Sequence, residues 1–410
     1  MRVLVVGTNR MCHDRLRDLG HEMVLFVPRG RARREDAVGP YRHVVVLDDQ
    51  AVPEDWVGIA RVLHRGAPFD AVVAYNEHTY RIVRAVSDAL DVPTVVDLEL
   101  FGRVLDKARM RELLEKHGIP SCRHRYARGR DAVLAAVEEI GLPCIVKPVD
   151  GEASEGVARI ESAAELDAAL LRVGARHLDR GVLVEEFLAG PEYSVEALSV
   201  GSRHHIVAVT RKFSDHRTFV ERGHLVPAPL DAADHQAVAA YTTRVLDAFG
   251  FHDCPSHTEI VLTERGPRII ETHNRIGGDS IMDLVRLATG VDMYDLVARQ
   301  SLGQDVTALL PDPVAHHQSA AVWFADPDGP TSSTLLEVRG VDRVRGLPHV
   351  HRLELLKEPG SPLVPVRQSS DRSALAITVG ASPEEALARA REAIGSLRFV
   401  YAWTSAEPLD

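Results

Sequence analysis

The sequence predicts an α/β fold in its first part and an α+β arrangement in its last quarter. Short, continuous apolar runs recur at Val3–Val6, Met23–Val27, Val44–Leu47, Ala71–Ala74 and Thr94–Val96. They lie roughly 20–25 residues apart, with helix-permitting stretches between several of them, as expected of parallel strands covered on both faces. From about residue 301 the pattern changes to many short strands with Pro/Gly turns, closed by a helix over Pro383–Leu397. The 410 residues allow two to four domains at about 100–200 residues each.

Composition narrows the function. Lys and Arg number 48 against 59 Asp and Glu, a net charge of −11. A net acidic surface is a poor host for a polyphosphate backbone, so nucleic acid is set aside as the main partner. Any anionic ligand has to be met by locally placed Lys, Arg and helix N-termini. No run of about 18 apolar residues occurs, so no membrane span is expected. The opening MRVLVVGTNRMCHD is apolar for only four residues and reads as a first strand, not as a signal peptide. Cys12, Cys122, Cys144 and Cys254 are scattered without a CxxC pair, which predicts structural thiols in a reduced, cytoplasmic setting.

The elements follow in order. Gly7 closes the first strand, but Gly7-Thr8-Asn9-Arg10 is not GxGxxG, so a dinucleotide fingerprint is absent. Asp106 to His117 is a helix: Asp106 serves as N-cap, Met110, Leu113 and Leu114 form a stripe, and Gly118 with Pro120 stops it. Pro143–Val149 is a strand followed by the loop Asp150–Gly156; Ala163–Val173 is a helix; Gly181–Val184 and Tyr193–Val200 are strands. The polar stretch Arg211–Pro229 shows little periodicity and reads as a long, mobile loop. Strands His257–Leu262 and Arg268–His273 flank a tight turn, and the helix Ile281–Thr289 follows.

Four signals carry chemistry. A three-residue loop Glu264-Arg265-Gly266, centred on Arg265, sets Glu259 opposite Glu271 on one face of the hairpin, with Cβ atoms ~5 Å apart. Like charges that close repel unless a cation lies between them, and a divalent metal with oxygen ligands removes the conflict; two solvated carboxylates on an exposed face are the plainer reading. Lys147 lies in an otherwise apolar strand, so either an anion faces it or it snorkels from a sheet edge. The loop Gly151–Gly156 has GxxxxG spacing but continues Val157-Ala158, not Lys-Ser/Thr; it is either a plain turn or a loop offering N–H groups to phosphate. Lys107 at the first helical position opposes the macrodipole, so it is either solvated or placed beside a phosphate.

Taken in order, Asp106-Lys107, Ile145-Val-Lys147-Pro with its Gly/Ser loop, Val184-Glu-Glu-Phe-Leu-Ala-Gly-Pro-Glu192, Glu259 and Glu271-Thr-His-Asn-Arg275 resemble the ATP-grasp superfamily. Within it the chain resembles the bacterial L-amino-acid ligases, which form dipeptides. The tail, with Gln368-Ser-Ser-Asp-Arg372, resembles the C-terminal domain of the biotin-carboxylase-like branch. The resemblance implies the ATP-grasp fold: a Rossmann-like domain over 1–100, an ATP-grasp domain over 101–300 with lobes of about 106–184 and 185–300, and an α+β domain over 301–410.

By the same resemblance Lys107 and Lys147 bind ATP phosphates, and Ser154 and Gly156 belong to the loop covering them. Glu185, Glu186, Phe187 and Leu188 form the hinge strand that reads adenine through backbone groups, and Glu192 meets the ribose. Glu259 and Glu271 hold Mg²⁺, with Mn²⁺ as a substitute. The family places Asn two residues after the second metal Glu; here His273 stands there and Asn274 follows, so either is the further ligand. Arg275 steadies the acyl phosphate, beside Gly277 and Gly278. Lys212 approaches the γ-phosphate from a loop that closes over substrate, Glu221 and His224 border the substrate, and Glu77 lies at the end of the fourth strand, where α/β sheets bind ligands. The implied activity is ATP-dependent carboxylate–amine ligation through an acyl phosphate, releasing ADP and phosphate, on small molecules, by a homodimer. The rivals are a ligase acting on a nucleotide amine, for which Arg29, Arg31, Arg33 and Arg34 are candidates, one charging a carrier protein, and a non-catalytic nucleotide-binding protein.

Overall fold

The computed structural model describes residues 1–149, 156–326 and 333–403. Strands β1 (Arg2–Val6), β2 (Glu22–Pro28), β3 (Tyr41–Leu47) and β4 (Ala71–Ala74) form a parallel sheet in the order β3-β2-β1-β4. Leu4, Val6, Val24 and Phe26 share one core with Trp56 and Val83, whereas the alternate residues Val3, Val5 and Met23 share another with Met282 and Leu284. Burial on both faces is why these runs are continuously apolar. Thr94–Val96 is a correction. It is extended chain leading into the helix Leu98–Leu105, not a fifth strand. Pro93 lends its carbonyl to the Val72 N–H at 3.1 Å but has no N–H with which to continue a ladder.

A second sheet contains β5 (His124–Ala127), β6 (Cys144–Pro148), β7 (Ala158–Ile160) and β8 (Val182–Glu186) in the antiparallel order β5-β8-β6-β7. Lys147 therefore sits in an interior strand, and the edge-lysine reading falls. Helices Arg130–Ile140 and Leu166–Val173 supply Val133, Ile140 and Leu170 to the core beneath it.

The third sheet joins the middle of the chain to its tail. Its strands come from β9 (Glu192–Val200), β10 (Arg203–Ser214), β11 (Glu221–Val226), β12 (Pro255–Thr263), β13 (Gly266–His273), β14 (Ser319–Ala325), β16 (Val350–Leu355) and β18 (Ala374–Gly380). The order is β13-β12-β9-β10-β11-β14-β18-β16, antiparallel throughout. β15 (Ser333–Arg339), β17 (Pro362–Leu363) and β19 (Arg398–Trp403) make a small separate sheet. The seam between β11 and β14 pairs Leu225 with Ala321, so the sheet runs unbroken across residue 301.

Two expectations change here. Most of Arg211–Pro229 is the end of β10 and all of β11, joined by a short connection, not a long loop. Lys212 pairs across the strands with His224, and both are buried. Because the face they share is polar, hydrophobic alternation is not visible in the sequence. The β12–β13 hairpin turns through two residues, Glu264-Arg265, with Thr263 paired to Gly266. That turn alone would misalign the glutamates. A β-bulge leaves Ile270 unpaired between Ile260↔Ile269 and Glu259↔Glu271, which restores the expected pairing by a different route.

Among the described residues no helix is long and apolar enough to cross a membrane, and the four cysteines are free thiols. The connection from β8 to β9 presses Gly190 against β12. Its φ is +152°, and a Cβ there would lie 2.2 Å from the Leu262 carbonyl oxygen. Gly190→Ala should lower stability by at least about 2 kcal/mol, measured as a shift in the urea unfolding midpoint.

Candidate active site

Two clefts meet at the Glu259–Glu271 strand pair. The first, about 940 Å³, is lined by the apolar side chains of Ile145, Val157, Phe187, Leu188 and Val261 and by the charged Lys107, Lys147, Glu185 and Glu192. The second, about 1090 Å³, opens between Asn76–His78 at the end of β4 and Arg275–Ile281 after β13. Lys212, Glu221, Glu259 and Glu271 line both.

Each carboxylate at the junction is held by an ammonium and an imidazole. Lys212 Nζ lies 2.5 Å from Glu259 Oε1 and 3.3 Å from Glu221 Oε1. Lys107 Nζ lies 2.9 Å from Glu271 Oε2, carried there by a helix whose N-cap, Asp106, accepts from the Ala108 and Arg109 N–H groups. Lys107 is buried, so the solvated reading falls. His257 Nε2 stands 3.3 Å from Glu259, while its Nδ1 lies 2.8 Å from buried Glu196. His273 Nε2 stands 3.2 Å from Glu271, with Nδ1 3.1 Å from Glu77. The two histidines thus repeat one motif, a ring clamped between a rear carboxylate and a front one.

Burial alone would push these carboxyls up, but the cations outweigh it. Lys212 and His257 hold Glu259 well below the usual carboxylate range, and Lys107 and His273 do the same for Glu271. Burial alone would push His257 down; Glu196 and Glu259 instead raise it to about 9. His273 is raised likewise by Glu77 and Glu271 against its burial.

Beneath the first cleft lies a second charge cluster. Arg111 donates through Nε to Glu185 Oε1 at 2.8 Å, and Lys147 Nζ lies 2.7 Å from Glu185 Oε2. Arg111 Nη2 donates to the Ile270 carbonyl, at the bulge, at 2.8 Å. Burial raises the Glu185 carboxyl, but Arg111 and Lys147 bring it down to about 2. The Glu185 side chain is therefore an ionic anchor, and the N–H groups of Glu186 and Phe187 are already given to the Arg123 and Pro143 carbonyls. Any reading of a base by this hinge therefore falls to its other backbone groups. Glu186 pairs with Arg123 and Arg265, and Glu192 accepts from Ser214 Oγ at 2.6 Å.

The remaining expected residues divide clearly. Arg275 Nε donates to Glu77 at 3.2 Å, and both line the second cleft together with His224, Gly278 and Asp279. Gly277 lies against the buried pair behind the cleft; a Cβ there would be 2.8 Å from Glu196 Oε2 and 2.9 Å from His257 Nδ1. Asn274 is a correction to the metal set. Strand alternation turns it away from the carboxylates into a separate cavity with Tyr75, Tyr80 and Gln300, and its carbonyl accepts from Tyr80. His273 is the residue on the carboxylate face. Gly156 abuts Pro148 beside the first cleft, and Ser154 lies outside the described residues.

The profile of the ATP-grasp domain matches residues 140–283, and that of L-amino acid ligase C-terminal domain 2 matches residues 330–402. An uncharacterized protein of Sinorhizobium fredii is 30% identical over 338 residues, 81% of this chain and 69% of that one. The chain belongs to the ATP-grasp ligase family. A D-alanine–D-alanine ligase of Pseudomonas putida is 29% identical over 204 residues, 47% of this chain and 62% of the relative. The ATP-grasp architecture extends over nearly the whole chain: the crystal structure of an L-amino acid ligase from Bacillus licheniformis superposes with a TM-score of 0.85 at 24% identity, covering 98% of each.

Four residues of these clefts and their supports escape the sequence reading, Arg111, Glu196, His257 and Asp279, and Arg372 enters it only within the tail motif. Two had a usable signal. Arg111 is four residues after Lys107, on the same helical face. His257 is two before Glu259, on the same strand face. The Glu185 anchor generates a pH prediction. A carboxyl depressed on folding contributes stability above its unfolded pKa, and that contribution is lost as pH falls through the folded value. Glu185→Gln, which strands Arg111 and Lys147, should cost about 3–5 kcal/mol at pH 7. Its gap from the parent protein should narrow as pH falls from about 4.5 toward about 2, read from unfolding midpoints across that range.

Proposed function

We propose that this chain uses ATP to join the carboxylate of an amino acid to an amine, the acceptor being a second amino acid. One observation carries the reading: two clefts of different chemistry share Lys212, Glu221, Glu259 and Glu271. The first cleft, lined by apolar side chains and by lysines, suits a purine nucleoside triphosphate. The second is polar and suits amino-acid substrates. Where they meet, a γ-phosphoryl group can pass from one to the other. The C-terminal profile, named for L-amino acid ligases, supports the same class.

In this reading Ile145, Phe187 and Leu188 hold the base, Glu192 meets the ribose, and Lys107 and Lys147 neutralise the phosphates. Two ionised carboxylates set opposite each other, with His273 beside them, fit a divalent cation such as Mg²⁺. Among the described residues no three such side chains are drawn together as a ready cage, since ammonium groups already engage the carboxylates. When bound, the cation would neutralise charge on the phosphate oxygens. The substrate carboxylate attacks the γ-phosphorus and ADP departs, leaving an acyl phosphate. The amine then attacks the acyl carbon, and phosphate leaves the tetrahedral intermediate. Lys212 and Arg275 neutralise the oxygens on which charge develops, Glu77 aims Arg275, and Glu221 and His224 border the substrate.

Among the described residues, Arg29, Arg31, Arg33 and Arg34 line neither cleft, which supports an amino acid over a nucleotide amine as acceptor. Turnover should release ADP and phosphate in equal amounts; AMP with pyrophosphate as products would overturn the mechanism. Arg275→Lys loses the planar donor fork and should lower kcat by roughly 10²–10³. Calorimetric titration should show nucleotide affinity little changed in that variant, because Arg275 lines the second cleft and not the first.

A further inference from the structure

We propose that the second cleft selects an amino acid whose side chain forms hydrogen bonds over its apolar isostere, and that His224 and Asp279 read that side chain. This rests on the amino-acid ligase reading above. Among the described residues, Ile281 is the single aliphatic side chain lining this cleft, whereas Ile145, Val157, Phe187, Leu188, Val261 and Ile270 all line the first. A branched or aromatic substrate side chain would find no apolar wall.

The wall it would meet has unmet hydrogen-bonding capacity. His224 is 1% exposed, yet neither ring nitrogen has a hydrogen-bond partner. Its Nε2 is 3.6 Å from Asp279 Oδ2, within ion-pair distance when the ring is protonated but too long for a hydrogen bond. A hydroxyl or carboxamide can donate to Asp279 and accept from the imidazole, or the reverse at the ring. A methyl group in the same place would leave the buried imidazole desolvated and unmatched, which is how a polar site rejects an apolar isostere.

Asp279 is also held too firmly to turn aside. Arg372, itself 5% exposed, donates to its carboxylate at 2.9 and 2.6 Å. The same guanidinium donates to the Ser369 and Glu221 carbonyls and lies 3.8 Å over the Phe324 ring. Asp279 has a φ of +50°, a left-handed conformation uncommon outside glycine, though aspartate tolerates it better than most residues. A tail arginine thereby positions a specificity-determining residue in the cleft.

The test compares isosteres in the intact protein: threonine against valine and asparagine against leucine, each paired with alanine, with ATP and Mg²⁺. Phosphate release and product mass are the readouts. The polar member should have the higher kcat/KM by at least about 100-fold. His224→Leu should bring that ratio to within about threefold of unity, while His224→Gln, which keeps a donor and an acceptor, should retain most of it. Turnover of valine and leucine as efficient as that of their polar isosteres overturns the preference and leaves the ligase reading standing. Absence of any amino-acid turnover by protein that still binds ATP overturns the ligase reading and the preference with it. An unchanged ratio in His224→Leu removes His224 from the recognition.

Discussion

Two carboxylates facing each other on paired strands cannot both stay ionised in a buried site unless positive charge is brought to each of them. That constraint organises this molecule. Glu259 is met by Lys212 from β10, and Glu271 by Lys107 from the helix that begins after Asp106. The ammoniums are themselves buried, and burial favours loss of their protons, but the glutamates more than offset it and hold both raised. Each charge is affordable only because its opposite is present. The site is therefore a network that stands or falls together, with rear carboxylates Glu77 and Glu196 fixing the histidines in turn.

The network also explains the shape of the fold around it. Glu77 follows β4 of the first sheet, Lys107 starts a helix between the first and second sheets, and Arg372 comes from the tail. Residues far apart in sequence are thus required at one place. The shared core between the first sheet and the helices Ile281–Thr289 and Met293–Gln300 brings the end of β4 up to Arg275. Hydrophobic burial supplies the general attraction, whereas the ion pairs fix orientation, since leaving any one of these charges unpaired is costly.

Much of this was legible beforehand, for physical reasons that differ by residue. The parallel sheet announced itself because strands buried on both faces are continuously apolar. Capping chemistry located the helix at Lys107, where Asp106 caps as anticipated. The facing of Glu259 and Glu271 followed from strand arithmetic, although the turn is one residue shorter and a bulge at Ile270 makes up the difference. What stayed hidden depends on three-dimensional pairing. Strands β10 and β11 line a polar cleft, so their alternation sets charge against charge and looks like a loop. Glu196 and Asp279 have no local pattern; only the partners His257 and Arg372 give them meaning. The orientation of Asn274 and His273 is set by strand parity, which could be read, whereas the Asn expected by chemistry points the other way.

The eight-stranded sheet has a consequence for how such a chain can be altered or divided. Because β11 pairs directly with β14, the tail is not a bead strung after the catalytic part but its continuation in hydrogen bonds. Removing it would uncover the edge of β11, the strand that carries Glu221 and His224, and would turn an interior strand into a sticky margin prone to pairing with other chains. Recombination between relatives cut at the sequence boundary near residue 301 would break a ladder as well as a linker. A workable exchange has to carry both sides of that seam together, so the tail and the strand it completes behave as one unit of inheritance.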